Sequence, residues 1–352
     1  MNKRLLAAAA ALCVCVAAFS GCVGRDVSSV GTINGTKIYR ADYEYYLRTQ
    51  ATTIQNILGV SDDSWREMEY EGKNAEQAAR DNAFDDITSV MVKAQKAYDD
   101  GLITEAEAEA EASANRRTTI EQMGGIEAYR QALSQMGLRD EAFERILKYQ
   151  AAAAKTDEQY GSAEAIVVSD EDAAAYFEEN YLRAKHILVS NEEAADTDSE
   201  AELFTDETAT DASEEPTEPT EAPLPIDVAN EIIAALDGGA DFNALIAEYN
   251  SDPGQSETSS YVFTEGQMVD AFYQAAKELE VNAYTKEPVE TSYGYHIIMR
   301  LPLSASDSEY EEQKETVIQN CRADKFVDIV DSWKSEVQIE RDDSSIAKAK
   351  IN

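Results

Sequence analysis

The chain has two histidines, His186 and His296, and each lies inside an apolar, strand-like run, AKHILV and YGYHIIM. Imidazole is the side chain whose charge changes near neutrality, so this pair is the first candidate for acid–base, metal-binding or positioning chemistry. Taken singly, a strand histidine is more often a satisfied core group than a catalyst. The spacings that mark other chemistries are missing. There is no GxSxG turn for a serine hydrolase and no CxxC or HExxH pattern for zinc, so neither a metal nor a cofactor is expected. A count of 30 Lys and Arg against 69 Asp and Glu gives a net charge of −39. That charge repels phosphate backbones and excludes nucleic acid as a partner. Apolar residues at 43% are still sufficient for packed cores.

The elements that must position these residues follow from pattern. A length of 352 residues implies more than one domain. Residues 1–21 have the anatomy of an export signal: Lys3 and Arg4, then an apolar run from Leu5 to Ala18 that is too short to span a bilayer. The segment Phe19-Ser20-Gly21-Cys22 resembles a bacterial lipobox, which implies lipidation at Cys22 and a tether over 22–29. With Cys13 and Cys15 lost in the leader, only Cys321 remains, so no internal disulfide is expected. Cys321 reads as a small buried hydrophobe. Val30 to Ile38 reads as a strand broken at Asn34-Gly35, followed by a helix from Ala41. Several helices continue to about Tyr160, one opened by a capping box at Thr104–Glu107 and one carrying Phe143, Ile146 and Leu147; another starts after Ser169.

Arg183 to Val189 is a strand, after which the composition changes abruptly. Residues 191–225 hold 13 acidic residues, four of the seven prolines and no Lys or Arg. This stretch reads as a disordered acidic insertion in which the prolines interrupt any helix. Two short helices follow, one with Val228, Ile232 and Leu236 on a face, the other capped by Asp241 and carrying Phe242, Leu245 and Ile246. Tyr295 to Leu301 is the next strand. A last helix from about Ser308 to Trp333 carries Val317 and Cys321, with a polar tail beyond it.

The stretch VGTINGTKIYRADYEYYL is similar to the opening of PrsA/SurA-type chaperone domains. The ordered motifs AKHILV, EYNSDP, EGQMVDAF and EPVETSYGYHII resemble the parvulin family of peptidyl-prolyl isomerases over about residues 183–301. With its flanks, the resemblance is to the PrsA-type foldase lipoproteins. It implies that His186 and His296 lie side by side on neighbouring strands, linked through one ring nitrogen each. It implies that Asp252 is a third catalytic residue. Met268 and Phe272 then form walls of a proline pocket, with Gln267 and Tyr293 beside the substrate. One departure stands out: the family's Gly-Gly-Asp-Leu-Gly run is absent, and Glu257 to Phe263 reads Glu-Thr-Ser-Ser-Tyr-Val-Phe. The pocket leucine has no counterpart, Ser260 or Tyr261 standing in its place.

The expected architecture is therefore α+β: a helical chaperone domain over 30–180 with an inserted parvulin-type α/β domain over 181–303, a small antiparallel sheet flanked by helices. Residues 304–352 return to the helical domain and end in the tail. The expected function is isomerisation of X-Pro bonds in unfolded or newly exported polypeptides, with chaperone activity. Its expected place is the cell membrane, lipid-anchored on the extracytoplasmic face of a bacterium. A non-catalytic holdase that keeps the parvulin fold as a peptide-binding module is the alternative. Because no Lys or Arg occurs from Ile187 to Ala276, no preference for phosphorylated Ser/Thr-Pro is expected. Basic residues near proline should be modestly favoured.

Overall fold

An Asn34-Gly35 turn with both residues at positive φ joins strand β1 (Ser29–Ile33) to β2 (Thr36–Tyr39), the backbone geometry that matches the twist of a hairpin. This opens the computed structural model, which describes residues 28–191 and 224–351. Helix α1 (Arg40–Leu58) ends at Gly59 in the left-handed conformation. A 3-10 turn at Asp63–Glu67 buries Trp65 before the short hairpin β3 (Glu69–Tyr70) and β4 (Lys73–Asn74). Then come α2 (Ala75–Asp99), α3 (Glu105–Gln122), α4 (Ile126–Gln135), α5 (Asp140–Tyr160) and α6 (Asp170–Asn180). The capping box is present at α3: the Thr104 side chain accepts from the Glu107 N–H, and the Glu107 carboxylate accepts from the Thr104 N–H. Buried Ala75, Ala78, Ala79 and Ala83 line α2, and this helix packs against both α1 and α5. Asp42 of α1 is buried and receives Arg145 of α5 through two hydrogen bonds of 2.6 and 2.8 Å.

The sheet that carries the histidines is built by alternation. Strand β5 (Tyr181–Ser190) is followed by α7 (Pro225–Asp237), α8 (Phe242–Tyr249), β6 (Tyr261–Thr264), α9 (Asp270–Glu278), β7 (Val289–Thr291) and β8 (Gly294–Leu301). The four strands are antiparallel in the order β6-β5-β8-β7. Ile187, Val189 and Ile297 point into one cluster with Ile232, Leu236, Phe242 and Ile246 of α7 and α8. Leu182, Ala184 and Ile298 point the other way, against Phe272 and Tyr273 of α9. A period of two then puts His186 and His296 on the α9 face. Because His186 pairs with Ile298 and Leu188 with His296, the two imidazoles are diagonal neighbours across the central strand pair. The α+β class expected from the sequence is the observed one.

Two details differ from the sequence reading. Pro225 opens α7 at its first turn instead of interrupting it, since a missing N–H costs nothing there. The segment beyond α10 (Ser308–Glu336) is not a simple polar tail. It forms β9 (Ile339–Arg341), which pairs with β1 to give the sheet β2-β1-β9, and α11 (Asp343–Ile346). Ile346 and Ala349 are buried in the cluster that holds Tyr43, Leu47 and Ile87. Cys321 is buried in α10, and burial raises its thiol pKa. The chain divides into two units, Asn180–Ser304 and the remainder, which joins the residues up to Glu179 with those from Ala305 onward. The leader, Cys22 and residues 192–223 of the acidic stretch lie outside the described residues. Among the described residues, no helix is long and apolar enough to cross a membrane.

Candidate active site

His186 and His296 are each 5% exposed, with ring centroids 5.1 Å apart and planes at 75°. Phe272 of α9 meets both rings edge-on, at 5.2 Å from His186 and 5.5 Å from His296. Burial strips water from an imidazolium, and this cost sets the charge state of the pair. It lowers the pKa of His186, against the pull of Asp252. It lowers His296 to about 4, assisted by the neighbouring His186 and opposed by Asp252. Both rings are neutral at neutral pH. The expected link between them through one ring nitrogen each is not formed, because the diagonal placement brings the rings together edge-to-face. Each turns a nitrogen to a different partner instead. His296 Nε2 is 2.8 Å from Thr291 Oγ1. His186 Nε2 is 3.1 Å from Asp252 Oδ2, close but not aligned as a hydrogen bond.

Asp252 sits on the loop that follows α8, and Asn250 fastens that loop to the sheet. The Asn250 side-chain oxygen accepts from the N–H of Leu188 in β5 and of Asp252, while its amide donates to the carbonyls of Asp252 and Gln255. A further bond runs from the Ser251 N–H to the Leu188 carbonyl at 2.8 Å. The carboxylate itself takes two donors: Oδ1 accepts from the Gly254 N–H at 2.8 Å, and Oδ2 from the Tyr261 hydroxyl at 2.9 Å. On the opposite flank, β7 and β8 meet in a two-residue turn, Ser292-Tyr293. Gly294 follows it at φ 138°, where a methyl group would lie 2.2 Å from the Val189 carbonyl oxygen. Only glycine fits there, and it sets the register that brings Thr291 to His296.

The other residues singled out in the sequence divide into two groups. Phe272 is 2% exposed and forms the base of the histidine pair; Met268 is half-buried on the same cluster. Gln267 and Tyr293 are not brought in with them. The Gln267 side-chain oxygen accepts from the Thr264 N–H and closes the turn between β6 and α9. Tyr293 is 63% exposed, joined to the site only through its N–H, which donates to Thr291 Oγ1. Sequence reasoning missed Thr291, Asn250 and the part played by Tyr261. The first shows only once the hairpin register is known, the second only once the loop is seen to lie on β5.

An antiparallel sheet with paired neutral histidines, the apolar face of a helix beneath them and a carboxylate at the rim defines a parvulin-type domain. Residues 173–300 match the family model of the PPIC-type PPIase domain, and residues 1–157 match that of the SurA-like N-terminal domain. The chain is thus similar to the PrsA-type parvulin foldases: it carries a PPIC-type PPIase domain and a SurA-like N-terminal domain. It is 43% identical over 91 residues to Foldase protein PrsA 4 of Bacillus cereus, covering 25% of this chain and 32% of that protein. It is 34% identical over 110 residues to Chaperone SurA of Methylobacillus flagellatus, covering 31% of this chain and 25% of that protein. Among solved structures, peptidylprolyl isomerase (PrsA) from Bacillus anthracis is similar at 20% identity and a TM-score of 0.32, over 76% of this chain and 99% of that one. The matched stretches span 32–38% of the length of the first curated PrsA relatives.

Proposed function

We propose that this chain is an extracytoplasmic foldase that isomerises X-Pro bonds in client polypeptides at His186, His296 and Asp252, and that its helical unit holds the same clients. The observation that carries this reading is the neutral histidine pair packed on Phe272 beside a carboxylate held by two donors. Twisting an X-Pro bond costs about 18–20 kcal/mol because it breaks amide resonance. Catalysis therefore needs no nucleophile, only an environment that prefers the twisted amide. The planar form places negative charge on the carbonyl oxygen. Asp252 beside that oxygen disfavours the charge, and neutral imidazoles supply no cation to offset the effect. Met268 walls the pyrrolidine ring, with Phe272 packed behind the site.

Refolding of a denatured protein whose slow phase is limited by proline isomerisation, about 10–100 s, tests the reading. The full chain should shorten that phase, and Asp252→Ala should abolish most of the effect; an unchanged slow phase would overturn it. A holdase that binds without isomerising is the second reading, favoured by the 2% exposure of Phe272, which leaves little ring for a proline. It would show client binding with the slow phase unaltered. Anchoring by a lipid on Cys22 is part of the proposal, supported by the apolar run Leu5 to Ala18 and the Phe19-Ser20-Gly21-Cys22 segment. One acyl chain binds membranes only marginally, so the diacyl form is the one expected. The intact mass of detergent-extracted protein should show cleavage before Cys22 with the added lipid; an unmodified Cys22 would contradict it.

A further inference from the structure

Where the sequence departs most from its family, the structure puts a residue to use. Tyr261, the first residue of β6, lies in the run that replaces Gly-Gly-Asp-Leu-Gly. Its ring stacks on His186, with centroids 5.8 Å apart and planes within 12°, and joins the cluster that includes Met268 and Phe272. Its hydroxyl donates to Asp252 Oδ2, the oxygen that also faces His186 Nε2. The loop is shaped around this hydroxyl: a methyl group at Gly254 would sit 2.3 Å from the Tyr261 oxygen. We propose that Tyr261 is a positioning residue for isomerisation, acting through Asp252 by fixing which carboxylate oxygen faces the histidine and which direction remains for the substrate carbonyl. This rests on the isomerase reading above.

Chemistry supports the assignment. Burial pushes the Tyr261 phenol up to about 12, so it stays a donor across the neutral range. A hydrogen bond to an ionised acceptor is short and directional, which suits it to orienting a carboxylate. The ring and the hydroxyl can be separated by Tyr261→Phe, which keeps the stack on His186 and removes the donor alone.

Steady-state kinetics on an Ala-Pro peptide, with the full chain and its variants, provides the test. Tyr261→Phe should lower kcat by about tenfold, equivalent to roughly 1.4 kcal/mol, while KM stays within about twofold. In the Asp252→Ala background the same change should add nothing, because a residue acting through Asp252 has nothing left to act on. Gly254→Ala should mimic Tyr261→Phe in the unaltered chain by displacing the hydroxyl, and should cost less once the hydroxyl is gone, when Asp252 Oδ1 at 3.3 Å is the close neighbour that remains. Unchanged kcat in Tyr261→Phe, or an equal loss with and without Asp252, would overturn the proposal and leave the isomerase reading standing. Absence of catalysis by the unaltered chain would overturn both.

Discussion

Burial and a neighbouring carboxylate make opposite demands on a histidine, and at His186 and His296 burial wins. The consequence is a testable sign. An unfolded histidine titrates near its ordinary 6.5, whereas folded His296 titrates near 4. Between those values the unfolded chain binds more protons, so stability rises with pH across the window and is level above it. Acidification from 6.5 to about 4 should cost roughly 3 kcal/mol from His296 alone. Because the chain has only two histidines, their ring-proton NMR signals give a clean check. The His296 midpoint should fall near 4 and that of His186 below its ordinary value; a midpoint at 6.5 for His296 would contradict neutral burial. At this scale the sequence was partly legible. The histidines and Asp252 stand in quotable motifs, but the Tyr261–Asp252 and Thr291–His296 bonds depend on strand register. That register is set by turn geometry and by pairing with β5, neither of which the motifs display.

The hairpin of β7 and β8 and the helix starts are where elements control the site. Replacing Gly294 by Ala forces a side chain onto φ 138° and against the Val189 carbonyl. A loss of about 3 kcal/mol or more is expected in urea unfolding of the sheet unit, with His296 displaced from Thr291. Thr104→Ala, which removes one half of the capping box, should cost only about 1 kcal/mol and leave the histidine signals untouched. Elements were legible where their period was strong. β5 and β8 are short apolar runs buried on both faces, and α7 and α8 repeat apolar residues at helical spacing and end at Gly238 or start at Asp241. β9 and α11 were not legible. Ile339 and Ile346 are isolated apolar residues among charges, and their value comes from β1 and the α1–α2 core, more than 200 residues earlier. Long-range pairing of that kind leaves no local periodicity.

Across the whole molecule, the division into two units predicts separable stability. Deleting residues 337–352 removes β9 from the edge of β1 and takes Ile346 and Ala349 out of the helical core. The melting transition of that unit should fall, while the histidine signals of Asn180–Ser304 persist; loss of both would show that the units do not fold separately. The net charge of −39 should act at range, so Lys-Pro peptides are expected to be favoured over Ala-Pro at low salt, the preference fading as the Debye length shrinks toward about 8 Å at physiological ionic strength. Faster turnover of a phosphorylated Ser-Pro peptide would contradict this electrostatic reading. The central claim, that the buried pair and its carboxylate form a working isomerase, is tested most directly by NMR exchange spectroscopy on an unphosphorylated Ala-Pro peptide. With catalytic amounts of the full chain, cis and trans signals should exchange faster than the uncatalysed tens to hundreds of seconds, and Asp252→Ala and His186→Ala should each reduce the rate. Peptide binding with exchange at the uncatalysed rate would contradict the account and make the domain a recognition module.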